Sequence, residues 1–120
     1  MSKDLFKVGV STDDIEGQVE YYTKVFGMKE TSRLGTPDGD YVWLESNGVT
    51  IELMPHAQVA DRPVGFHHLC FKTDDIAAET EDARAKGANV VAGPYDAGFG
   101  IWLTDIEGPD GVLIRLFHHD

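Results

Sequence analysis

A single cysteine, Cys70, stands among the 120 residues, so no internal disulfide can form. A reducing compartment, the cytoplasm, is the corresponding expectation. No apolar run approaches the roughly 18 residues that a membrane-spanning helix requires. The opening MSKDLFKV carries no apolar stretch of the secretory kind. Basic residues are scarce: 10 Lys and Arg against 21 Asp and Glu give a net charge of -11. Nucleic-acid binding needs a basic face and is disfavoured; the excess acid serves solubility. A phosphate-binding loop, a dinucleotide fingerprint and a nucleophile elbow are all missing.

What the chain does have is a repeat. TDDI occurs at Thr12–Ile15 and again at Thr73–Ile76. Each copy follows an apolar strand candidate, LFKVGVS or FHHLCFK, and precedes a helical pattern that stops at glycine. Ile15, Val19, Tyr22 and Phe26 form the first stripe, ended by Gly27; Ile76, Thr80 and Ala83 form a weaker second one, ended by Gly87. Asp13 and Glu16 read as a capping box. Later pieces repeat too: YVWL with GIWL, and GVTIELMPH with GVLIRLFHH. The order strand, helix, three strands is therefore expected twice. This is an α+β domain over residues 1–120, built from two paired βαβββ modules at about 4–56 and 65–118, with MPHAQVADRPVG between them.

Strand side chains alternate between faces, so the repeat also sorts them. Phe6, Val8 and Val10, with His67, Leu69 and Phe71, belong to the face under the helices. Lys7 and His68 belong to the other. Ile51 and Leu53 match Ile114 and Leu116 as helix-side core. Glu52 matches Arg115 and Met54 matches Phe117 on the opposite face, and matching YVWL to GIWL adds Trp43 and Trp102. A curved sheet with Lys7, Glu52, His68 and Arg115 among Trp43, Met54, Cys70, Trp102 and Phe117 has the make-up of a small-molecule pocket, apolar walls with few polar groups. Cys70 serves as lining. VAGPYDAGFG, residues 91–100, reads as a glycine-rich loop, a connection or a lid. The terminal FHHD is expected to fray beyond Phe117.

The stretches VSTDDIEGQVEYYTKVFGMK, VTIELM, HHLCFKTDDI, AKGANV and EGPDGVLIRLF, in this order, resemble the vicinal oxygen chelate superfamily, also called glyoxalase/bleomycin resistance/dioxygenase. The resemblance implies paired βαβββ modules forming a cup with helices outside, commonly in a homodimer. It also implies that metal-dependent members place ligands, in glyoxalase I a His, Glu, His, Glu set, at the positions held here by Lys7, Glu52, His68 and Arg115. Glu52 and His68 match that set. Arginine has no lone pair to offer and lysine ligates only when neutral, so a tightly held divalent metal, on Glu52 and His68 alone, is not favoured and no cofactor is expected.

Three functions follow as expectations. In the first, Lys7 and Arg115 stabilise an enolate or bind a carboxylate while His68 or Glu52 moves a proton, a metal-independent isomerase or lyase acting next to a carbonyl. The second is sequestration of a neutral or anionic planar ligand against Trp43 and Trp102, in the manner of resistance proteins. The third is a metal-dependent glyoxalase, epimerase or dioxygenase with unusual ligands.

Overall fold

The computed structural model describes residues 3–120, and the expected order of elements is traversed twice. The first pass is β1 (Asp4–Thr12), α1 (Ile15–Phe26), β2 (Lys29–Thr36), β3 (Gly39–Ser46) and β4 (Val49–Pro55). The second is β5 (Gly65–Lys72), α2 (Ile76–Ala85), β6 (Asn89–Gly98), β7 (Ile101–Glu107) and β8 (Leu113–His119). Both are βαβββ modules, and the fold is α+β. Two compact units are present, residues 7–67 and residues 3–6 with 68–120. No helix among the described residues is long and apolar enough to cross a membrane.

The TDDI repeat turns out to be a helix-start device. In each copy the threonine hydroxyl accepts the N–H of the second aspartate, Asp14 to Thr12 at 3.0 Å and Asp75 to Thr73 at 3.2 Å. That second aspartate then caps the helix, Asp14 accepting from Gly17 N and Asp75 from Ala78 N. The capping box expected from Asp13 and Glu16 is thus displaced by one residue: Asp14 is the cap, and Glu16 reaches Arg33 at 2.5 Å instead. Side-chain caps of this kind contribute about 1 kcal/mol each by satisfying orphan N–H groups. Gly27 ends α1 at φ 69, a left-handed conformation that glycine adopts without a Cβ penalty.

In the unit of residues 7–67 the strands lie in the order β2-β3-β4-β1, with β1 parallel to β4 and the rest antiparallel. Val42, Leu44 and Leu53 are fully buried with Met28 beside them, and Val10, Ile15, Val19, Tyr22 and Ile51 pack against this core. Burying such a side chain contributes roughly 1.5–3 kcal/mol. Phe26 departs from its expected stripe and is 64% exposed; the chain turns at Gly27, and Met28 fills the core instead.

In the other unit the order is β5-β8-β7-β6, with β5 parallel to β8. Its core holds Ile76, Ala83, Ile106 and Leu116, with Phe71 and Ile114 against them. The weak apolar stripe of α2 has a reason: Thr80 and Thr104, both fully buried, bond hydroxyl to hydroxyl at 2.8 Å. Lys3 Nζ ties the N-terminal stretch to the same helix through Glu79 at 2.5 Å and Asp82 at 3.0 Å. Phe6, expected under a helix, packs instead on Phe117 with ring centroids 5.5 Å apart.

Two loop expectations are overturned here. Residues 89–98 are strand β6, paired to β7 from Asn89↔Glu107 to Gly98↔Ile101 with irregular register, so they form no lid. The tail does not fray beyond Phe117: β8 continues to His119, and His118 meets Trp102 in the ladder and Thr73 O at 3.0 Å.

Candidate functional site

In the unit of residues 7–67, cross-strand partners on one face gather the polar side chains. Val42, Leu44 and Leu53 point into the helix-side core, so their alternating neighbours Trp43, Glu52 and Met54 point the other way. Trp43 stands opposite Glu52 in the β3–β4 ladder, and Ser11 pairs with Met54 in the β1–β4 ladder. Lys7, two residue pairs from Ser11's end of β1, extends along this face. Its Nζ lies 2.8 Å from Glu52 Oε2, and Trp43 Nε1 donates to the same oxygen at 2.8 Å. The Lys7 ammonium also sits 4.4 Å from the centroid of the Trp43 ring. Lys7 is 5% exposed and Glu52 9%, so these charges are largely removed from water. Burial of that depth is tolerable only for a paired, hydrogen-bonded carboxylate. Met54 is buried beside them.

In the other unit the parallel ladder pairs His68 with Leu113, Cys70 with Arg115 and Lys72 with Phe117. Phe71, Ile114 and Leu116 belong to the helix-side core, so His68, Cys70, Arg115 and Phe117 share the opposite face. His68 and Cys70 are each 1% exposed. His67, whose alternation places it on the other side of β5, is also buried. Arg115 donates from Nε to Asp105 Oδ1 at 2.9 Å, and the Tyr95 hydroxyl donates to Asp105 Oδ2 at 2.9 Å. Burial pushes the Tyr95 phenol up to about 12, and the neighbouring Asp105 carboxylate acts in the same direction.

Sequence reasoning missed Asp105 and Tyr95, and it misplaced Trp102. Trp102 pairs with His118 and packs against Ile76, Ala83, Ile106 and Leu116, on the helix side. Its indole Nε1 approaches Asp120 at 3.4 Å. The residue that stands to Arg115 as Trp43 stands to Glu52 is Asp105. Matching YVWL to GIWL missed this because the β7–β8 turn spans residues 108–112 whereas the β3–β4 turn spans only 47–48. That odd difference reverses which face an aligned residue occupies.

At the four positions that the family resemblance singles out, Lys7, Glu52, His68 and Arg115, the donor chemistry does not suit a divalent ion. One Glu52 oxygen already accepts from a lysine and an indole, and Arg115 presents donors only. Among the described residues no three His, Cys, Asp or Glu side chains form a metal-binding group.

Residues 5–116 match the family model of the Glyoxalase/Bleomycin resistance protein/Dioxygenase superfamily. A lactoylglutathione lyase of Arabidopsis thaliana is 32% identical over 93% of this chain, which spans 41% of that protein. The chain thus covers about two fifths of the plant relatives it matches (41% and 42%). A lactoylglutathione lyase of Escherichia coli O157:H7 is 30% identical over 86% of this chain and 83% of its own. Among solved structures, a hypothetical protein from Bacillus halodurans C-125 superposes with a TM-score of 0.80 at 17% identity, over 100% of this chain and 96% of that one. A methylmalonyl-CoA epimerase in complex with methylmalonyl-CoA and NH4+ superposes with a TM-score of 0.77 at 22% identity, over 99% and 96%. These two likenesses concern the fold.

Proposed function

From membership of the glyoxalase/bleomycin resistance protein/dioxygenase superfamily, to which this chain belongs, we propose that it binds a small neutral or anionic molecule without a metal, using Lys7 and Arg115 where metal-dependent members hold ligands. The observation that carries this reading is the buried Lys7–Glu52–Trp43 cluster, in which one Glu52 oxygen already accepts from a lysine ammonium and an indole N–H.

The names of the relatives point to a chemistry. Lactoylglutathione and methylmalonyl-CoA are acyl thioesters, with the α-carbon next to a carbonyl. Moving a proton at such a carbon passes electron density to the carbonyl oxygen, where N–H donors of Lys7 or Arg115 stabilise the enolate. Glu52 or His68 takes the α-proton and returns it, which makes the protein a lyase or isomerase in type. The Lys7 and Trp43 hydrogen bonds to Glu52 both fall on Oε2.

A second reading is sequestration without turnover. It is favoured by one observation: Glu52 and Arg115 each already have an internal partner of opposite charge. A homodimer in the cytoplasm completes the proposal, and light scattering tests the assembly.

The deciding experiment combines metal analysis of protein purified without chelators with α-proton exchange in D2O, on S-lactoylglutathione and methylmalonyl-CoA. Metal-free protein that catalyses exchange, with a loss of about 100-fold or more in His68→Ala or Glu52→Ala, supports catalysis. Saturable binding without exchange supports sequestration. A stoichiometric transition metal that both substitutions remove overturns the metal-free reading.

A further inference from the structure

In the unit of residues 3–6 and 68–120, a cavity of about 420 Å³ opens at the carboxyl ends of the parallel strands β5 and β8. Parallel strands leave such a crevice where the chain turns away to the next element, and the size is that of a small-molecule site. Phe117 gives it an apolar wall, with its ring centroid 5.5 Å from that of Phe6. His118 is a fixed part of the lining: Nδ1 lies 3.0 Å from Thr73 O and Nε2 3.2 Å from Asp120 Oδ1. Three exposed charged residues share the cavity, Asp4, Lys72 and Asp74, and they do not pair with one another. Lys72 Nζ stands 5.3 Å from the centroid of the Phe6 ring, within cation–π reach, and has no carboxylate partner among the described residues. Elsewhere Lys3, Lys24, Arg33, Arg84 and Lys86 all reach carboxylates.

Opposite charges left apart around one partly apolar cavity constrain its occupant. A purely anionic molecule meets two carboxylates there, on a chain of net charge -11. A purely cationic one is repelled by Lys72. A molecule that carries both charges offers each group its counterpart. We propose that this cavity binds a small zwitterion with an apolar body, an α-amino acid by chemical class, its ammonium on Asp4 and Asp74, its carboxylate on Lys72 and its side chain against Phe117. The exposed His119 imidazole, also in the lining, adds an N–H donor for the carboxylate. None of Lys7, Glu52, His68 and Arg115 lines the cavity, so this site goes beyond the reading above and is tested apart from it. Each exposed ion pair contributes little alone, and selectivity comes from meeting both charges at once.

The test is an NMR titration of the full chain with three probes, following the backbone N–H signals of Lys72 and His119. The probes are leucine, 3-methylbutylamine, which lacks its carboxylate, and 4-methylpentanoate, which lacks its ammonium. Leucine is expected to bind about 5-fold more tightly than either, the order of one exposed ion pair. Lys72→Gln then weakens leucine by about 5-fold and does not weaken the amine. Asp4→Asn combined with Asp74→Asn weakens leucine and the amine by about the same factor and does not weaken the acid. All three side chains are exposed, so the variants keep the fold, which an unchanged thermal midpoint checks. Leucine that binds no more tightly than the two analogues overturns the proposal, as does a Lys72→Gln variant that weakens leucine and the amine alike. Leucine that moves neither signal overturns it too, and the small-molecule reading above is then still decided by its own exchange experiment.

Discussion

Asp105 stands directly opposite Arg115 across the β7–β8 ladder, with Oδ1 2.9 Å from Nε. The same relation in the other module joins Trp43 to Glu52. Each module therefore carries one charged residue on its last strand, steadied by the cross-strand neighbour one strand back. The signs are reversed: a carboxylate held by N–H donors in one module, a guanidinium held by a carboxylate in the other. The two modules thus carry opposite charges at equivalent places in their ladders.

Tyr95 gives this arrangement a pH signature. The phenol titrates near 10 in an unfolded chain and is pushed up to about 12 in the folded one, chiefly by burial. For an acid whose pKa is raised by folding, the unfolded state loses its proton first as the pH rises. Stability from this group is fully present below pH 10 and falls between about 10 and 12. Urea midpoints measured across that window should decline less steeply in Tyr95→Phe than in wild type. Absorbance at the phenolate band, which reports tyrosine ionisation directly, should lose its latest-titrating step in the same variant. An unchanged curve would mean that the Tyr95 phenol is not buried in this way in solution.

Gly93 carries a second prediction, in strand β6. Its φ is +100, and a Cβ there would meet Leu103 O at 2.6 Å and Thr104 Cα at 2.8 Å. Both are backbone atoms and cannot swing away. Thr104 is also the buried partner of Thr80, so any shift is passed to the α2 contact. Gly93→Ala should cost about 2–3 kcal/mol from crowding and backbone strain together. Gly98→Ala is the control: its φ of +86 is also unfavourable, but nothing lies within 4 Å of the new atom. It should cost about 1 kcal/mol. Similar midpoints for the two in chemical denaturation would refute the close approach.

Much of this was legible in the sequence, because alternation and repetition are local. The TDDI copies located both helix starts, and the faces of Ile51, Leu53, Ile114, Leu116 and His68 followed from period two. What failed depended on register. The two tryptophans look alike in YVWL and GIWL, but turns of unequal length place them on opposite faces, and Asp105 was overlooked as a result. Counting back from Arg115 through the Gly108–Gly111 turn would have reached Asp105 only if the pairing of Glu107 with Leu113 were known. The Asp13 cap failed for a similar reason, since which of two adjacent aspartates caps depends on where Thr12 bends the chain. Tyr95 lies in a stretch whose glycines and proline suggest a loop, while its pairing to β7 makes it a strand.

The last prediction concerns whether Lys7 and Glu52 act as a unit. Their side chains are 5% and 11% exposed, and their contact is a single 2.8 Å ion pair shared with the Trp43 indole. Removing one partner leaves the other charge buried, which costs about 3–5 kcal/mol. Lys7→Met should therefore unfold at markedly lower urea than wild type, and Glu52→Leu likewise, the latter also stripping Trp43 of its acceptor. The double variant removes both members of the pair and should lose clearly less stability than the two single losses added together, with a coupling of about 1–3 kcal/mol. Trp43 fluorescence reads the same cluster, since its indole N–H loses its acceptor only when Glu52 is replaced. Strict additivity in the cycle would mean that the lysine does not stand in for a metal beside Glu52, and the metal-free reading of the site would lose its main support.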